Sequence, residues 1–243
     1  MSIAIIPSRY GSTRFKGKPL ALVAGKPMIQ RVYEQASKAL NIEKVIVATD
    51  DKRIINAVKN FGGNALMTSP NLRSGTDRVA ETANILNLKK NDIIVNIQGD
   101  QPFFNPLCLD ELVSPFKKTL PNLVMSTLAF KIKDKREITD PKDVKVVFDK
   151  NQFALYFSRA QIPYPRDKQT KTEYYKHLGF YAYKKSFLDK IADFSETTLE
   201  DIEKLEQLRV LEHGYKIKVV LTKHDSPEVD IPEDIERIEK MFE

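Results

Sequence analysis

A chain of 243 residues can bury a sizeable core within one large domain. Its 42% hydrophobic and 30% charged residues exclude a disordered chain, and no segment approaches the length of a spanning helix, so no membrane partner is expected. The net charge of +6 is local: Arg9, Arg14, Lys16, Lys18, Lys26 and Arg31 precede the first acid, Glu34, and charge is balanced beyond it. A surface that tracks nucleic acid needs a longer positive stripe beside a reading helix or aromatics, so a nucleic-acid partner is not expected and a compact polyanion is.

Chain order then gives alternating strands and helices. The apolar amino terminus has no basic leader or long apolar core of a signal peptide, so Ile3–Ile6 reads as a first strand and the protein is expected in the cytoplasm. Pro27 opens a helix whose Met28, Ile29, Val32, Tyr33, Ala36 and Leu40 share one face. Strands follow at Lys44–Ala48, Asn64–Met67 and Ile93–Ile97, and this βαβα order predicts an α/β fold with a mostly parallel, Rossmann-like nucleotidyltransferase sheet covered by helices on both faces. The lone Cys108 rules out an intrachain disulfide and reads as a buried, neutral residue. Leu123–Phe130 and Val144–Phe148 are further strands, and the proline-bearing stretch 123–183 reads as a smaller antiparallel insertion within a single domain, 1–243. A helix capped by Thr198, with Asp201 three residues on, carries Leu199, Ile202, Leu205, Leu208 and Leu211 to a stop at Gly214. Ile217–Leu221 is the last strand.

In open α/β sheets ligands bind beyond the carboxyl ends of the strands. After the first strand comes a loop rich in glycine, hydroxyls and bases, from Pro7 to Pro19, suited to phosphate oxygens. It is no Walker A loop, because five residues separate Gly11 from Gly17 and Pro19 follows Lys18 where Ser or Thr is needed; no dinucleotide fingerprint follows the strand either. Asp100, in Gln98-Gly99-Asp100-Gln101-Pro102, and Asp230, in Val229-Asp230-Ile231-Pro232, lie beyond two later strands. Alone, the first reads as a turn residue and the second as a helix cap. Together with the basic loop they are what a magnesium–triphosphate site requires, since Mg²⁺ takes few carboxylates and completes its shell with phosphate and water.

The motifs carrying these residues run in order along the chain. They are Ile5-Ile6-Pro7-Ser8-Arg9-Tyr10-Gly11-Ser12-Thr13-Arg14, Gly17-Lys18-Pro19-Leu20, Ala48-Thr49-Asp50, Ser74-Gly75-Thr76-Asp77-Arg78 and Asn96-Ile97-Gln98-Gly99-Asp100. Then come Val144-Lys145-Val146-Val147, Ala154-Leu155-Tyr156-Phe157-Ser158-Arg159, His177-Leu178-Gly179, Leu205-Glu206-Gln207-Leu208-Arg209 and Val229-Asp230. With them the chain resembles the CMP-Kdo synthetase family of sugar cytidylyltransferases from Ile5 to about Glu239. It departs at Phe15-Lys16, where Leu-Pro is common, and at Ile231, where Thr is usual.

The resemblance implies transfer of CMP from CTP to 3-deoxy-manno-octulosonate (Kdo), with release of pyrophosphate, for lipopolysaccharide synthesis. It implies Asp100 and Asp230 as Mg²⁺ ligands, catalytic together with Lys18, and Ser8, Arg9, Arg14, Lys18, Ser74, Gly75 and Gln98 around CTP. Arg78, Arg159, His177 and Gln207 are implied on the acidic sugar, where an arginine fork can take its carboxylate. A homodimer contacting through the 123–183 insertion is also implied. The alternatives are the 8-amino analogue of Kdo as acceptor and, in another class, a non-catalytic nucleotide-binding module.

Overall fold

The computed structural model describes residues 1–11, 15–117, 122–167 and 169–241. Its strands are β1 (Ser2–Pro7), β2 (Leu22–Val23), β3 (Lys26–Pro27), β4 (Lys44–Thr49), β5 (Ala65–Met67), β6 (Ile93–Asn96), β7 (Met125–Lys131), β8 (Lys145–Phe148), β9 (Ala154–Ser158), β10 (Tyr175–Lys184) and β11 (Lys218–Thr222). Its helices are α1 (Met28–Ala36), α2 (Lys52–Asn60), α3 (Gly75–Ile85), α4 (Leu107–Val113), α5 (Lys135–Thr139), α6 (Lys185–Asp193), α7 (Thr198–Glu203), α8 (Gln207–Glu212) and α9 (Asp234–Glu239).

Nine strands form one sheet in the order β11-β7-β10-β6-β1-β4-β5, with β8 and β9 branching from β10 and a separate β2–β3 ribbon. β1 lies between β4 and β6, parallel to both, and β5 and β11 add further parallel pairs. The expected mostly parallel sheet is therefore present, and β1 shows why its sequence is an unbroken apolar run. Ile3 and Ile5 enter one core with Val79 and Ala83 of α3 and Phe187, Leu188 and Ile191 of α6. Ala4 and Ile6 enter the other, with Ile29 and Val32 of α1, Ile54 and Val58 of α2 and Leu109 and Leu112 of α4. A central parallel strand is buried on both faces, so its periodicity of two disappears.

Three expectations change. The first helix ends at Ala36, so Leu40, placed on its apolar face, lies beyond it and is exposed. The stretch 123–183 contributes β7 and β10 to the main sheet, where β10 runs antiparallel to β6 and β7; only the β8–β9 hairpin stands off as an antiparallel branch. β9 and β10 were not legible as strands because both are rich in polar and aromatic residues of mixed burial. The single helix expected from Thr198 is two, broken at Lys204, which takes a left-handed backbone (φ 53°). Its cap is Thr197, in a capping box with Glu200, one residue before the expected Thr198 and Asp201. Cys108 is buried as expected, and burial pushes its thiol up to about 11, so it stays neutral.

Candidate active site

Parallel alignment of β1 with β6 brings the residues after both strands to the same edge of the sheet. Ser8 follows β1 with its N–H bonded to Ala48 O (2.8 Å), and its hydroxyl is buried without a partner among the described residues. Gly99 lies directly against it: a Cβ there would stand 2.9 Å from Ser8 Oγ and 3.4 Å from Pro7 O, so a side chain at this approach of two strand ends would force the Ser8 hydroxyl to move.

Lys18 joins the two aspartates. Its ammonium donates to Asp100 Oδ2 at 2.6 Å and to Val229 O at 3.0 Å, and stands 3.9 Å from Asp230 Oδ1. Val229 N–H in turn donates to Asp100 O at 2.9 Å, which ties the turn after β6 to the connection between β11 and α9. Asp230 is not the helix cap that a local reading suggests. α9 starts at Asp234 with Glu233 as its N-cap, and the Asp234 side chain instead reaches back to accept from the N–H groups of Asp230 (2.8 Å) and Ile231 (3.1 Å). Burial opposes the Asp234 charge, but those N–H groups and Arg237 outweigh it and hold the carboxyl below its usual range.

Beyond the aspartates opens a cleft of about 920 Å³. Arg9, Gly75, Gln98, Asp100, Arg159, His177, Gln207 and Asp230 all line it. Four other expected residues have different places. Ser8 and Lys18 sit behind the lining. Ser74 spends its hydroxyl capping α3, accepting from Asp77 N–H at 3.1 Å. Arg78 is buried and turned away from the sugar end, with its guanidinium on Asp50 Oδ2 (2.9 Å), Thr68 Oγ1 and Ser69 O. That ion pair joins α3 to the end of β4, and Arg78 does not line the cleft. Arg14 lies outside the described residues.

The far wall is shaped by a bulge. The register of β10 on β7 shifts between His177 and Tyr181, and Gly179 there takes φ 71°, which a side chain would disfavour. His177 Nε2 meets Thr127 Oγ1 at 2.9 Å, and that hydroxyl donates its own proton to Phe180 O at 2.7 Å. Nε2 is therefore the protonated nitrogen and Nδ1 the acceptor. Burial between Phe157 and Tyr181 lowers the pKa of the imidazole well below its usual value, so it is neutral at physiological pH. Gln207 accepts from Tyr181 Oη at 2.9 Å, while its buried Nε2 has no partner among the described residues. Arg159 is braced by Glu203 O (2.8 Å) and Pro141 O (3.0 Å).

Sequence reasoning missed several residues here. Glu228 stands exposed in the cleft and accepts from Gln101 Nε2 at 3.0 Å, while Gln101 also donates to Leu178 O at 2.8 Å. The alternation Glu228-Val229-Asp230 was its available signal. Lys176, buried in β10, ties α5 to the end of β11 by bonding Glu137 (2.7 Å) and Asp225 (3.0 Å), and nothing in its local sequence announces that.

The residues present fit a divalent cation. The Lys18 ammonium already sits among three oxygens, Asp100 Oδ2, Val229 O and Asp230 Oδ1, so the aspartates define a position made for positive charge. Among the described residues no group of three or more His, Cys, Asp or Glu side chains is arranged to hold an ion. With two carboxylates, an ion would complete its shell with phosphate oxygens and water.

A model of the cytidylyltransferase family matches residues 3–217. The 3-deoxy-manno-octulosonate cytidylyltransferase of Desulfosudis oleivorans is 61% identical, over 98% of this chain and 96% of its own. The 8-amino-3,8-dideoxy-manno-octulosonate cytidylyltransferase of Shewanella sediminis is 54% identical, over 95% and 94%. A solved CMP:2-keto-3-deoxy-manno-octonic acid synthetase complexed with CTP superposes with a TM-score of 0.92 at 40% identity, covering 99% of this chain and 98% of that one.

Proposed function

The chain belongs to the cytidylyltransferase family, and from that premise we propose that it transfers CMP from CTP to Kdo, releasing pyrophosphate and giving CMP-Kdo. The observation that carries this reading is the Lys18–Asp100–Asp230 constellation at the edge of a cleft large enough for a nucleotide and a sugar. The anomeric hydroxyl oxygen of Kdo attacks the α-phosphorus and gives up its proton to solvent, the bond to the bridging oxygen breaks, and pyrophosphate leaves with the electron pair. Such transfers rely on positioning and electrostatics more than on covalent help.

Asp100 and Asp230 would hold Mg²⁺, which supplies neutralisation of charge developing at the α-phosphate. Lys18 and Arg9 serve the outer phosphates, with Arg14 from the same loop. Gly75 and Gln98 line the cleft on the nucleoside side, and Ser8 supports them from behind, its hydroxyl without a partner among the described residues. Arg159, braced from two sides, presents its guanidinium to the acceptor carboxylate. Gln207 Nε2 and the neutral His177, with Nδ1 as acceptor, take sugar hydroxyls. Ser74 and Arg78 act from behind, as the cap of α3 and the link from α3 to β4.

A second acceptor is favoured by one observation, the 54% identity to a relative named for the 8-amino analogue. The two acceptors differ by a hydroxyl against an ammonium, and a site that leaves a charge unpaired rejects it strongly. Kdo, its 8-amino analogue and N-acetylneuraminate, each supplied with CTP and Mg²⁺, should give the highest kcat/KM for Kdo in a pyrophosphate-release assay. A preference above tenfold for the amine overturns the acceptor, and no release with any of them overturns the enzyme.

The reading includes work in the cytoplasm, where CTP is available; among the described residues no helix is long and apolar enough to cross a membrane. It also includes a homodimer through the 123–183 stretch, supported by Leu155 (63% exposed) on the outer strand β9 and Tyr164 (84% exposed) beyond it. Light scattering should return twice the chain mass, with Leu155→Glu shifting it toward the monomer; a monomeric wild type removes this element.

A further inference from the structure

The ammonium of Lys18 occupies the position between the two aspartates that the proposed reaction assigns to a metal ion. Its partners are side-chain oxygens of Asp100 and Asp230 and the carbonyl of Val229, from segments 82 and 211 residues away in sequence. All three side chains are largely enclosed, with exposures of 15%, 22% and 18% for Lys18, Asp100 and Asp230, so solvent screens this contact only in part. The lysine backbone is fixed. Lys18 opens a one-turn helix, Lys18–Leu20, closed by Leu20 N–H on Gly17 O (2.9 Å), and Gly17 N–H bonds Tyr10 O (3.0 Å). Only the four-carbon side chain is left to move, and it is flexible enough to carry its charge from one set of oxygens to another.

We propose that Lys18 is an exchanging cation: it neutralises the Asp100–Asp230 position while the protein is free of nucleotide, and it transfers to the triphosphate when a divalent ion takes that position. This rests on the metal role proposed above for the two aspartates. An ammonium 2.6 Å from Asp100 Oδ2 and a divalent ion bound to the same carboxylate repel each other and compete for one oxygen. Metal alone must therefore displace Lys18 with nothing to receive it. Metal arriving with CTP offers the lysine a new partner. The same residue thus keeps two adjacent carboxylates compatible in the free protein and couples metal binding to nucleotide binding, so that each raises the affinity for the other by the same factor.

The test uses Mn²⁺ as the probe, with free ion counted by electron paramagnetic resonance, so that the readout is binding and not turnover. Without nucleotide, Lys18→Met should bind Mn²⁺ about tenfold more tightly than wild type, within the usual range of coupling between sites, and Lys18→Arg should stay near wild type because it keeps the cation. CTP should tighten Mn²⁺ binding to the wild type by more than it does for Lys18→Met. Equal or weaker Mn²⁺ binding by folded Lys18→Met, including none detectable in either protein, overturns the exchange. A Lys18→Met/Asp100→Asn double variant separates the two ideas. Loss of its Mn²⁺ binding is expected; if binding persists, the ion is elsewhere, and the metal role of Asp100 fails along with the exchange built on it.

Discussion

Asp100→Asn and Asp230→Asn should each lower kcat by two to three decades while the thermal midpoint stays close to that of the wild type. Removing one electrostatic stabiliser of a transition state typically costs about 3–4 kcal/mol. Asn retains the volume and one acceptor oxygen, so the Lys18 contact at 2.6 Å and the backbone tie from Val229 to Asp100 survive in neutral form. What is lost is the charge that collects a cation beside the α-phosphate. Steady-state pyrophosphate release with saturating CTP, beside a melting curve, is the measurement. Turnover within threefold of wild type in either variant would remove that residue from the chemistry.

The second large effect is expected away from the aspartates, in the packing of the sugar wall. Arg209 and Glu200 form a buried, two-point ion pair between α8 and α7, with Nε on Glu200 Oε2 at 2.6 Å and a terminal nitrogen on Oε1. The pair crosses the left-handed break at Lys204 and holds the two short helices together. Those helices carry Glu203, which braces Arg159, and Gln207. Breaking one partner of a buried pair strands the other charge and costs about 3–5 kcal/mol. Glu200→Leu should therefore lower Tm on the order of 10 °C for a chain of this size. The double variant Glu200→Leu/Arg209→Met should recover most of that, because no charge is left unpaired. Below the melting range, KM for the acceptor should rise more than KM for CTP in the single variant. A Tm within about 3 °C of wild type in Glu200→Leu would show that the pair contributes no more than an exposed one.

Sequence by itself determined the elements whose signal is local and strong. The runs at β1, β4 and β6 are apolar on consecutive residues because both their faces are buried, and that pattern, alternating with α1 and α2, is sufficient for the parallel sheet. It also placed the basic loop, Asp100 and Asp230 just beyond strands, because strand ends are marked by the glycines and prolines that follow. Tertiary structure alone decided which of these residues meet and where the others turn. Lys18 reaches Asp100 and Val229 only because parallel strands deliver distant segments to one edge, a proximity that no spacing encodes. Arg78 belongs to a conspicuous motif, yet the half-buried carboxylate of Asp50 claims its guanidinium, since a cation enclosed in the fold is held by the nearest opposite charge. Gln101 after β6, Glu228 in a late loop and Asp234 at the start of α9 looked like ordinary polar residues until the fold set them around the aspartates. The stretch from Thr198 kept helical periodicity straight through Lys204, whereas in the fold the chain turns there and Arg209 packs back onto Glu200. Periodicity reports which face is apolar; the partner across the core decides whether the backbone continues.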